Sequence, residues 1–125
     1  MRGIIDKFAL WFMALRGYSL PISVMSWLVP FLFASLNGGN ILYGIIALFG
    51  IIILHLATNI FDDTVDYIRA KNDIDRGLKS DFNFQKGKCF FIFNNDLTIK
   101  DYIRASLILF IFSMLIALFF IYIYG

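Results

Sequence analysis

The run from Ile41 to Phe61 is twenty-one residues long and holds no Asp, Glu, Lys or Arg. At 1.5 Å per residue a helix of that length reaches about 30 Å, the thickness of the hydrocarbon core of a bilayer. Residues 19–36 and 105–124 have the same character. Only helices and closed barrels satisfy every backbone polar group in lipid, and runs this long and continuous read as helices. With 60% of its 125 residues hydrophobic, the chain has too little polar surface to cover a soluble core. The expected fold is an all-α, polytopic transmembrane bundle of three spans.

The segments between the spans complete the expected order. Residues 7–16 are apolar nearly all round and read as an interfacial helix with Trp11 as an aromatic anchor. Ser19-Leu20-Pro21 reads as a helix start, with Ser19 as N-cap and Pro21 tolerated in the first turn. Pro30 is expected to kink the first span, 19–36. Asn37-Gly38-Gly39-Asn40 is an uncharged turn before the second span, 41–61. No Gly or Pro occurs between Ile51 and Arg76, so that helix can extend to residue 76, with Gly77 as its C-cap. Residues 77–104 lack a clear period and read as a loop, and the third span, 105–124, ends in the aromatic belt residues Tyr122 and Tyr124.

Charge is concentrated. The chain has no Glu, and eight of its nine Asp and eight of its eleven Lys and Arg fall between Asp62 and Arg104. Arg2, Lys7 and Arg16 precede the first span, and the turn between spans one and two carries no charge. The positive-inside rule therefore puts the N-terminus and the long loop in the cytoplasm of a plasma or inner membrane.

The second span ends in Asn59-Ile60-Phe61-Asp62-Asp63-Thr64-Val65-Asp66-Tyr67. Asn59, Asp62, Asp63 and Asp66 fall within about a third of a helix circumference at 100° per residue. His55 extends that face one turn into the span, with Asp63 at its edge. Each Asp at a bilayer centre costs about 2.5 to 3.5 kcal/mol, so the cluster belongs at the interface, facing a cavity. Carboxylates on one face repel unless a cation lies between them, and Mg²⁺ holding a diphosphate suits that donor set. The plain alternative is a solvated loop start.

These residues resemble the first Asp-rich motif of the UbiA superfamily of intramembrane aromatic prenyltransferases, closest to the 1,4-dihydroxy-2-naphthoate polyprenyltransferase branch. Arg16-Gly17-Tyr18-Ser19-Leu20-Pro21 with Pro30 resembles that family's first helix, and Asn95-Asp96-Leu97-Thr98 through Arg104-Ala105 resembles the approach to its third. The resemblance implies the amino-terminal part of a nine-span bundle, truncated to about three spans. It also implies transfer of a polyprenyl group from its diphosphate to an aromatic acceptor, as in menaquinone synthesis. Asp62, Asp63 and Asp66 would be the catalytic Mg²⁺ ligands, with Asn59 assisting. Lys86 and Lys88 stand where the family has an Arg-Pro pair and would contact the diphosphate. Bound Mg²⁺ would draw charge onto the leaving diphosphate while a dry pocket shields the allylic cation. The family pattern has a second Asp-rich motif on a later helix, and these 125 residues hold only the first. The site would then be completed by a second chain or by a homo-oligomer. The other reading is a non-catalytic small membrane protein or partner subunit that keeps only the Mg-diphosphate-binding helix.

Other classes are poorly supplied. One His without a second His or a nearby Cys gives no zinc site, so His55 is expected to pack against a neighbouring helix, bonded to a backbone carbonyl. Cys89 lacks an activating pattern. No phosphate-cradling Gly-rich loop, nucleophile elbow or basic-aromatic nucleic-acid signature occurs, so the expected partners are the lipid bilayer, a polyprenyl diphosphate and an aromatic acceptor, with no nucleic acid.

Overall fold

The computed structural model describes residues 3–77, 90–93 and 96–125, and every regular element among them is helical. Helix α1 is Ile4–Ala14, a 3₁₀ turn follows at Gly17–Ser19, and α2 is Leu20–Leu36. Helix α3 is Ile41–Asp75, α4 is the single turn Phe90–Phe93, and α5 is Ile99–Tyr124. Three helical stretches, Gly17–Leu36, Ile41–Asp75 and Ile99–Tyr124, are long and apolar enough to cross a membrane. The protein is thus an all-α bundle with the character of an integral membrane protein.

Helix α3 is the shared element, with α5 packed along it and α2 on a further side. Both pairings are antiparallel. Tyr43 meets Phe119, Phe120 and Tyr124 edge-on with ring centroids 6.0 to 6.3 Å apart, and toward the Asp-bearing end Phe61 meets Phe110 at 6.0 Å. A helix of 35 residues is about 52 Å long, so α3 outruns a bilayer core by several turns. It runs unbroken through the Asp motif and stops at Gly77, whose φ of +72° closes the helix in the left-handed region that glycine takes at little cost.

The α2–α3 crossing depends on a small residue. Trp27 donates its indole N–H to the Gly44 carbonyl at 2.9 Å, and the Phe31 ring stacks on Trp27 with centroids 4.3 Å apart. A Cβ on Gly44 would overlap the Phe31 ring. Gly44→Val should therefore push Phe31 off Trp27 and cost about 1 to 3 kcal/mol, read as an earlier unfolding midpoint in detergent. Trp27→Phe, which removes the hydrogen bond but keeps an aromatic ring beside Phe31, should cost less than Gly44→Val.

The buried core sits at the Asp-bearing end. Ala14, Ile60, Ile92, Leu97 and Tyr102 form it, and Leu10, Trp11 and Leu15 of the α1 segment pack against it. Trp11 is half-buried and its ring lies 6.5 Å from that of Tyr102, so it faces the protein, where the sequence suggests a membrane anchor. Helix α5 starts on a reciprocal capping box. Thr98 Oγ1 accepts the Asp101 N–H at 3.2 Å while Asp101 Oδ2 accepts the Thr98 N–H at 3.0 Å. Two otherwise orphaned donors are satisfied in this way, a contribution of about 1 kcal/mol.

Candidate functional site

Helix α1 ends in a tight turn built from Leu15 and Arg16. Arg16 sits at φ 53°, ψ 45°, and is the one positive-φ residue other than glycine among the described residues. Its N–H closes the last turn of α1 on the Met13 carbonyl at 3.0 Å, the place where glycine usually ends a helix. A left-handed non-glycine residue costs of order 1 kcal/mol or more, which surrounding contacts must offset. Gly17 follows, buried beneath the Phe12 ring.

Three residues of α3, spaced one turn apart, grip this turn. Asp63 takes the Arg16 guanidinium in an ion pair. The carboxylate side chain is 4% exposed and the arginine side chain 21%. Asn59 donates Nδ2–H to the Leu15 carbonyl at 3.1 Å and to Ser19 Oγ at 3.3 Å. His55 lies between two hydroxyls, with Nε2 2.7 Å from Ser19 Oγ and Nδ1 2.9 Å from Ser23 Oγ.

Counting donors orders these bonds. The Ser19 hydroxyl donates to the Arg16 carbonyl at 2.8 Å, so its oxygen is an acceptor for both Asn59 and His55. A neutral His55 ring then carries its proton on Nε2, and Nδ1 accepts from Ser23. Ser19 does stand at the N-cap position, but its side chain makes no cap bond. It links α3 to the turn instead. The sequence leads one to expect a backbone carbonyl partner for His55, and the structure gives it two serine hydroxyls. Polar side chains bonded across helices in this way hold spans together where apolar contact alone discriminates little between protein and lipid.

The Asp motif is divided by the edge of the buried sector of α3. Ile60, Asp63, Thr64 and Ala70 are buried, Asp66 is half-buried, and Asp62 is exposed. Asp63 is thus the inward member of the motif, rather than the residue at its edge. Asp62 and Asp66 stand one turn apart on the accessible side, and both have interactions of their own. Among the described residues no three His, Cys, Asp or Glu side chains gather closely enough to hold a metal ion. Asp62, Asp63 and Asp66 therefore do not fit a three-carboxylate cage. The fit that remains is a pair, Asp62 and Asp66, and Mg²⁺ takes one or two protein carboxylates when phosphate oxygens and waters fill its other positions. Lys86 and Lys88 lie outside the described residues.

Sequence reasoning passed over Arg16, Ser19 and Ser23 as site residues. The available signal was a lone Arg followed by Gly between two apolar segments, with one serine at the start of the next apolar segment and another four residues on. Nothing in that pattern says which residue of α3 it meets. Comparison with known protein families, with curated proteins and with solved structures gives no match.

Proposed function

We infer that the protein binds a polyprenyl diphosphate at the Asp-bearing end of α3. It acts as a membrane prenyltransferase, or as the diphosphate-binding portion of one, with an aromatic compound as acceptor. The observation that carries this reading is the division of labour within the motif. Asp63 is committed to Arg16, which fixes the turn against α3. Asp62 is exposed and Asp66 half-buried one turn away, on the side of α3 that a divalent cation and its phosphates can reach. An apolar groove of about 250 Å³, lined by Trp11, Leu15, Ala105, Ile108 and Leu109, begins at the residue before Arg16 and suits part of an isoprenoid chain. The distribution of Lys and Arg supports a cytoplasmic placement of this end. The likeness of the motif to that of UbiA enzymes supports the chemistry, in which a second set of carboxylates faces the first.

The second reading, a non-catalytic membrane protein or partner subunit, draws support from the commitment of Asp63 to Arg16, which removes one of three carboxylates from metal binding. One titration separates the two. The full chain in lipid nanodiscs is titrated with geranylgeranyl diphosphate, with Mg²⁺ and with EDTA. The prenyl-diphosphate reading expects Mg²⁺-dependent binding that weakens at least about tenfold in Asp62→Asn and in Asp66→Asn. Binding that ignores both Mg²⁺ and these substitutions, or no binding by a folded chain, assigns the protein to the non-catalytic class.

A further inference from the structure

Helix α1 presents three distinct sectors. Leu10, Trp11, Ala14 and Leu15 face the core. Asp6, Ala9 and Met13, with Leu10 at the edge they share with the core sector, border a groove of about 380 Å³ lined also by Phe91 and Asp96. Ile4, Ile5, Phe8 and Phe12 fall in the remaining sector, about 100° wide by helical geometry. These four are not core residues: Ile4 is 89% exposed, Ile5 83%, Phe8 73% and Phe12 46%.

We propose that this outward sector is buried in the bilayer, making α1 an in-plane membrane anchor whose partner is the boundary between headgroups and acyl chains. The reason is continuity with α2. The exposed side chains of Tyr18, Ile22, Met25 and Val29 continue the apolar surface along a stretch long enough to cross a membrane. Only Leu15 and Arg16 separate α1 from that stretch. A two-residue turn held by Asn59 and Asp63 gives α1 no freedom to leave the level at which the span begins. At that level an exposed row of two isoleucines and two phenylalanines meets lipid. The three sectors then face protein, water and lipid in turn.

The contact is apolar rather than electrostatic. Within Ile4–Ala14 the charges are Asp6 and Lys7, which cancel. An amphipathic helix of this kind inserts by buried apolar area, without the dependence on anionic lipid that a basic face confers. The anchor residues also differ from the one composition suggests, because Trp11 is turned to Tyr102 and Phe8 takes the lipid side. This inference stands independently of the prenyltransferase reading.

The test uses the full chain carrying Cys89→Ser, with Phe8→Cys, Ile5→Cys or Asp6→Cys labelled by an environment-sensitive nitrobenzoxadiazole fluorophore. Each is reconstituted in phosphatidylcholine vesicles with or without bromine on the acyl chains. Labels at 5 and 8 should be quenched by bromolipid at least about threefold more than the label at 6, and iodide in the water phase should show the reverse order. Adding anionic phosphatidylglycerol should leave both patterns unchanged. Equal iodide quenching at 6 and 8 overturns the proposal. So does bromolipid quenching that appears only with anionic lipid. A disulfide linking two copies of the unlabelled Phe8→Cys variant, together with insensitivity to bromolipid, also overturns it and makes a second copy the occupant. The exposed side chains replaced at 5 and 8 make independent readings, so one misfolded variant does not decide the outcome.

Discussion

Arg16→Ala should lower the stability of the protein by about 3 kcal/mol, the cost of removing a cationic partner from a buried carboxylate. Asp63 is 3% exposed, and the Arg16 guanidinium forms an ion pair with it. The alanine also keeps the strained backbone, because a Cβ at φ 53° meets the same crowding as arginine does. Arg16→Gly loses the same charge but relaxes the turn, so it should be about 1 kcal/mol more stable than Arg16→Ala. The informative variant is the double replacement Arg16→Met with Asp63→Leu. Removing a buried pair together, with apolar side chains of similar volume, is often neutral or stabilising. Its unfolding midpoint in a detergent titration should lie within about 1 kcal/mol of the parent. The same protein decides what Asp63 is for. If Asp63 serves only the seam, the double variant keeps its Mg²⁺-dependent diphosphate binding. If Asp63 is a ligand, the variant folds and loses binding. An Arg16→Ala midpoint equal to the parent's would show that the ion pair does not hold the turn.

The helices were legible for a simple reason. Three long uncharged apolar runs have no stable alternative to a helix in lipid, and a stretch without Gly or Pro had no cause to break before Gly77. What could not be read was rotation about the helix axis. Asn59, Asp62, Asp63 and Asp66 lie within about a third of a turn of one another, so a rotation of a few tens of degrees decides which of them is buried. In α3 the buried edge falls between Asp63 and Asp62, set by the docking of α5 and by the Leu15–Ser19 turn, neither of which is written in the motif. Trp11 shows the same limit. A helix with large apolar side chains on more than one side gives no local sign of which of them meets lipid and which meets Tyr102. Ser19 stands at the cap position that the sequence indicates but bonds elsewhere, because a cap position does not reveal that an asparagine and a histidine from another helix lie within reach.

Tyr102→Ala should be the most damaging single truncation in the core, at about 3 to 5 kcal/mol. Tyr102 is 1% exposed and, with Ile60, is one of the two largest fully buried side chains among the described residues. It joins parts of the chain far apart in sequence, meeting Ala14, Ile60, Ile92 and Leu97 in one cluster, with Trp11 against its ring. The cavity left by the phenol would lie beneath α1, whose inward residues Leu10, Trp11 and Leu15 pack on this cluster. Damage should therefore be local in character. Amide hydrogen exchange in residues 4–14 should accelerate by about two orders of magnitude, as expected when the free energy of local opening falls by roughly 3 kcal/mol. The far end of the α3–α5 pair, held by Tyr43 against Phe119, Phe120 and Tyr124, should exchange as before. Tyr43→Ala provides the mirror experiment, loosening that end and leaving α1 protected. Uniform acceleration in both variants would mean that the bundle opens as a single unit and that the core at the Asp-bearing end does not separately hold α1. Protection of α1 unchanged in Tyr102→Ala would mean that the turn alone, through Asn59 and Asp63, keeps α1 in place, and the Arg16 variants would then bear the whole effect.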